Sequence, residues 1–90
     1  MTRYVLVVDP GREEHIARHH VTVEEVEEVL SANPFVRKVR QGYLRLIGQT
    51  DAGRYLTVFV APREGQVYGL ASARDATVAE RRTYQDHRAR

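Results

Sequence analysis

The rhythm of apolar and polar residues changes several times along the chain. Residues 4–8 (YVLVV) form an unbroken apolar run, the pattern of a short strand. DPGREEHIARHH follows. Asp9 suits a helix N-cap and Pro10 the first helical position, so a helix is predicted to about His19, weakened slightly by Gly11. VTVEEVEEVLSA is the clearest helical stretch. Thr22 and Glu25 have capping-box spacing, Val21 and Val26 have staple spacing, and Val26, Val29 and Leu30 make an apolar stripe that Asn33-Pro34 terminates. The rhythm then becomes strand-like. FVRKVRQ (35–41) is a strand or a lead-in, and YLRLIGQ (43–49), YLTVFVA (55–61) and QVYGLASA (66–73) are strands joined by the turns TDAGR and PREG. Thr77 and Glu80 repeat the capping-box spacing, so a last helix is predicted from near Val78.

This order predicts one α+β domain over residues 1–90. Its antiparallel sheet of three to four strands packs with two N-terminal helices and one C-terminal helix. Alternation puts Leu56, Val58 and Val60 on one face of their strand and Tyr55, Thr57, Phe59 and Ala61 on the other. In an unbulged last strand, Tyr68, Leu70, Ser72 and Arg74 share a face. The expected core is Leu46, Val58, Val60 and Leu70 with Val26, Val29 and Leu30.

Composition narrows the function classes. Hydrophobic residues make up 42% and charged residues 29%, a globular balance that argues against general disorder. No apolar run approaches the ~18 residues of a membrane span or the 7–15 of a signal-peptide core, so a cytoplasmic protein with no membrane partner is expected. With no cysteine, disulfides, zinc ribbons and thiol nucleophiles are excluded. Net charge is only +2, but EEVEE gathers acid while RKVR and ERRTYQDHRAR gather base, as suits an anionic partner or simply a solvated surface.

Candidate chemistry concentrates in ASARDATVAERRTYQ. Arg74 ends a strand, where its guanidinium could fork onto a phosphate or pair with Asp75, Glu80 or another helix carboxylate. Arg81 and Arg82 point about 100° apart on the helix. Glu80 is explained by its capping box, and Tyr84, one turn on, either anchors the helix or offers a hydroxyl to a ligand. His15 and His19, at i and i+4, are half of a metal site with no evident third ligand, so no metal is expected. Near a helix end His19 and His20 also interact with the dipole, and histidine is the side chain best poised for proton transfer at neutral pH. Phosphate-loop, serine-hydrolase and dinucleotide motifs are missing from the sequence.

Asp9-Pro10, RHHV at 18–21, VEEVEEVL, GRYLTVFVA and above all ASARDATVAERRTYQ together resemble the BrnT family of type II toxins, over about residues 4–85. The resemblance implies a RelE-like fold and a toxin of a type II toxin–antitoxin system. That toxin is a metal-independent, cofactor-free endoribonuclease whose partners are RNA and a DNA-binding antitoxin of ribbon-helix-helix type. It implies Arg74 and Arg54 as charge-stabilising catalytic residues, His19 as catalytic acid or base, and Arg18, Arg81, Arg82 and Tyr84 as substrate-binding residues. Arg18 stands where the family has lysine, His15 where it has asparagine, and His20 where it has glycine, so the turn at His20 must hold a side chain at φ > 0. The alternatives are a catalytically silent RelE-like module that binds an antitoxin or nucleic acid, and an interaction domain for an acidic protein.

Overall fold

The computed structural model describes residues 5–90; Tyr4, assigned by the sequence to the first strand, lies outside the described residues. The elements run β1 (Val5–Val7), α1 (Arg12–Ala17), α2 (Val23–Ser31), β2 (Phe35–Lys38), β3 (Leu44–Gln49), β4 (Tyr55–Pro62), β5 (Val67–Asp75) and α3 (Val78–Arg88), with a 3₁₀ turn at Arg40–Gly42. The α+β class is as expected. The sheet is larger than expected: five strands in the order β1-β5-β4-β3-β2. It is also mixed, because β1 pairs parallel to β5, from Val5 against Val67 to Val7 against Gly69. The remaining pairs are antiparallel hairpins, and FVRK is a strand.

Both expected capping boxes are formed. The Thr22 and Thr77 side chains accept from the N–H groups of Glu25 and Glu80, whose carboxylates accept from the cap N–H groups in return. α1 departs from expectation. Pro10-Gly11 makes a turn closed by the Arg12 N–H donating to the Asp9 carbonyl at 3.1 Å. Gly11 takes φ 86 at the cap, with no side-chain cap bond, so the helix starts two residues late. Asp9 instead accepts from Arg63 at 2.8 Å. α1 also ends before His19. Bonds from His19 to Ile16 and from His20 to Ala17 tighten the chain, and His20 reverses it at φ 60, the conformation that replacing glycine requires.

Leu46, Leu56, Val58, Val60, Leu70 and Ala73 line the sheet face beneath α1 and α2, packed against Ile16, Val26, Val29 and Leu30. Gly48 lets α2 approach β3, since a Cβ there would lie 2.9 Å from Val29. The shared face expected for Tyr68, Leu70, Ser72 and Arg74 is broken by a bulge in β5. Val60 pairs with Leu70 but Phe59 with Ser72, leaving Ala71 as the extra residue. Tyr68 and Leu70 therefore stay with the core, and Ser72 and Arg74 emerge on the opposite face beside Phe59 and Thr57.

Candidate active site

α3 covers only part of that opposite face. Its contacts run through Glu80 to Thr57, Tyr84 to Tyr55 and His87 to Phe35. Where it begins, charges meet. Arg74 grips Glu80 through both nitrogens, Nη1 donating to Oε1 at 2.8 Å and Nη2 to Oε2 at 3.1 Å, and its guanidinium lies 5.6 Å from the Phe59 ring centre. Glu80 also accepts from the Thr57 hydroxyl and the Thr77 N–H, each at 2.8 Å. Burial disfavours the Glu80 charge, but the bonds from Arg74, Thr77 and Thr57 outweigh it and hold its pKa down at about 2. This carboxylate is an anion at neutral pH. Arg45, opposite Phe59 on β3, adds a second guanidinium with Nη1 3.8 Å from Glu80. Its Nε is buried without a hydrogen-bond partner among the described residues.

Beyond Phe59 the face opens into a groove of about 500 Å³, lined by Val39, Arg40, Tyr43, Phe59, Ala71 and Ser72. β1 pairs with β5 only as far as Gly69, so the rest of the β5 edge meets α1 instead. Arg12 donates to the Ala71 carbonyl at 3.4 Å, and His15 Nε2 is hydrogen-bonded to Ser72 Oγ at 3.3 Å. The His19 ring stands edge-on to His15, their centres 6.1 Å apart. Arg18 borders a hollow of about 300 Å³ with Arg12 and His15. One stretch of β5 thus carries an imidazole at Ser72 and, two residues on and roughly 7 Å away along the strand, a guanidinium at Arg74. Such a pair can move a proton and stabilise an oxyanion on the same phosphodiester. Among the described residues, no three His, Cys, Asp or Glu side chains converge to hold a metal ion.

No protein-family model matches the sequence, and no curated protein matches it significantly. Among solved structures, the chain is similar to the Brucella abortus ribonuclease toxin BrnT, with a TM-score of 0.66 over 83% of this chain and 99% of that one, at 23% identity. The chain has the BrnT fold.

Within the BrnT fold the sequence-predicted catalytic residues gather around the C-terminal half of β5, but in different states. Arg54, in the β3–β4 turn, is committed to the protein. Its Nε donates to Asp75 at 2.9 Å, Nη1 to the His20 carbonyl at 2.6 Å and to both Glu25 oxygens at 3.2 Å, and Nη2 to the His19 carbonyl at 3.2 Å. It ties the α1–α2 turn to the end of β5. Arg74 has the Glu80 partner that the sequence left as one of its alternatives. Tyr84 is 3% exposed, packed on Tyr55 and His87 beneath Arg88, so its ring anchors α3. Arg81 lies 5.1 Å over Tyr55, and Arg82 is exposed. Arg45, Phe59 and Tyr43 were not singled out from the sequence, and His15 was noted as half of a metal pair and as a departure from the BrnT pattern, not as an acid–base candidate. Alternation did mark Phe59 as facing away from the core, though not toward a groove; the same rule applied to Arg45, one residue before the expected core residue Leu46, would have found it. No helix among the described residues is long and apolar enough to cross a membrane.

Proposed function

We propose that this chain is the toxin of a type II toxin–antitoxin pair, a metal-independent endoribonuclease of RelE-like kind. It acts in the cytoplasm and is restrained by a DNA-binding, ribbon-helix-helix antitoxin. The observation that carries this reading is the juxtaposition, on a BrnT fold, of His15 at Ser72 with Arg74 on the next outward position of the same strand. In this mechanism a histidine takes the ribose 2′-OH proton. The 2′-oxygen attacks phosphorus, the bond to the 5′-oxygen breaks, and a second group protonates that leaving oxygen, leaving a 2′,3′-cyclic phosphate. His15 and His19 are the acid–base candidates. Arg74 and Arg45 stabilise the phosphorane charge, and Arg18 positions phosphate. Arg81 and Arg82 guide the RNA backbone. Arg54 acts as a positioning residue, holding the His19–His20 turn against β5.

The test is cleavage of single-stranded RNA by purified protein in EDTA, with His15→Ala, His19→Ala and Arg74→Ala compared. Cyclic-phosphate products and loss of cleavage in Arg74→Ala and in at least one histidine variant are expected. Cleavage that needs added zinc or manganese would refute the reading. The double Arg74–Glu80 bond favours a second reading, a catalytically silent module. In that case RNA or the antitoxin binds and no RNA is cut.

A further inference from the structure

We propose that the groove beside Arg74 is a subsite for one unpaired nucleobase, stacked by Tyr43 and Phe59. This inference rests on the RNA reading above and names what part of the RNA the face recognises. The groove is apolar and its lining contains Arg40 and two aromatic rings, Tyr43 and Phe59, neither fully buried, while three further arginines touch or neighbour lining residues: Arg74 and Arg45 beside Phe59, and Arg12 at the Ala71 carbonyl. Partly open rings beside guanidinium groups are what single-stranded nucleic acid uses, the base on the ring and the phosphate on the cation. At about 500 Å³ the space suits a single nucleoside rather than a helix. Arg74 lies 5.6 Å from the Phe59 ring centre, so a phosphate on Arg74 belongs to the nucleotide whose base enters the groove or to its immediate neighbour. Ser72 and Arg40 supply polar groups for the base edge or ribose.

The backbone is shaped for this. Gln41 at φ 65 and Gly42 at φ 80 turn the chain back on itself, and the Val39 N–H donates to the Tyr43 carbonyl at 2.9 Å. That closure sets Arg40 and Tyr43 at the groove's rim. A non-glycine residue in the left-handed region is strained, as happens where loop shape serves a site.

The experiment measures fluorescence anisotropy of a labelled, uncleavable 2′-fluoro RNA decamer of mixed sequence, its abasic counterpart and its duplex. The proteins are wild type, Tyr43→Ala and Tyr43→Trp, with the fold of each checked by its melt. The expected results are roughly ten-fold weaker binding of the abasic strand and of the duplex by wild type, the same loss for Tyr43→Ala on the full strand, and retention by Tyr43→Trp. If wild type cleaves RNA yet binds full and abasic strands alike, the subsite is refuted and the ribonuclease stands; a groove built for a protein side chain would give that result. If binding is base-dependent but nothing is cut, the ribonuclease reading fails and the subsite stands. Failure to bind any strand overturns both.

Discussion

Arg74 is claimed by two partners, the Glu80 carboxylate that holds it and the phosphate it is proposed to meet. Arg74→Lys keeps the charge and loses the fork. It should lower the cleavage rate far more than RNA affinity, because an interaction that strengthens in the transition state shows in the rate. It should also lower stability by about 1–2 kcal/mol in a urea melt, since buried Glu80 keeps its bonds to Thr57 and Thr77 but loses a bidentate partner. Intact cleavage with the same stability loss would make Arg74 a tie between sheet and helix only. Glu80 itself gives a pH dependence. Its folded pKa lies below the ordinary 4.5, at about 2, so its stabilisation is fully present above about pH 5 and is lost as pH falls toward 2. The loss should be on the order of 2 kcal/mol between pH 6 and pH 3, and Glu80→Gln should flatten that window in melts at the two pH values. At His20 the cost is conformational. With φ 60 in a side-chain-bearing residue, His20→Gly should raise stability by about 1 kcal/mol without touching Arg54, whose bond is to the His20 carbonyl.

Among the elements, those that depend on nearby residues were legible and those that depend on distant ones were not. Both capping boxes span three residues and announced α2 and α3 in the sequence. The β4 faces followed from alternation, and Val58, fully buried between Leu46 and Ala73, should cost roughly 1–3 kcal/mol when cut to alanine in a denaturant melt. β1 reads as a strand, but an unbroken apolar run carries no mark of the parallel partner it finds in β5. Ala71 is small and unremarkable in sequence, yet as the bulged residue it turns Ser72 and Arg74 to the other face. The site was half legible for the same reason. Arg74 stood out at a strand end before a capped helix. The commitments of Arg54 join it to Asp75, Glu25 and His20, which lie 21, 29 and 34 residues away in sequence. Alternation could set Arg45 and Phe59 on the outward face, but not say that α3 stops short of the groove.

For the whole molecule, a net charge of +2 is too small to draw RNA by itself, so the proposed function requires the arrangement of charge to do it. On the α2 side, Glu24, Glu27, Glu28 and Asp51 border an acidic hollow. Across the sheet, Arg40 and Arg45 lie with Arg74 around the groove, and Arg12 reaches the same β5 edge. On the proposed ribonuclease reading, this asymmetry would repel RNA from the acidic side and hold it at the groove, orienting the encounter. If these four arginines each meet a phosphate, they should contribute about −2.8 to the slope of log affinity for single-stranded RNA against log salt, close to a 50-fold loss between 50 and 200 mM, with Arg18, Arg81 and Arg82 steepening it further. Arg40→Ala should make that slope shallower by about 0.7. Glu27→Gln, which removes one negative charge on the acidic side and so restores the net charge lost in Arg40→Ala, should leave the slope unchanged, whereas uniform net-charge attraction would let it compensate for the lost arginine. Titrations of wild type, Arg40→Ala and the double variant at four salt concentrations separate the two. A double variant that regains the wild-type slope would mean that RNA senses only total charge and that the basic face has no register on the strand.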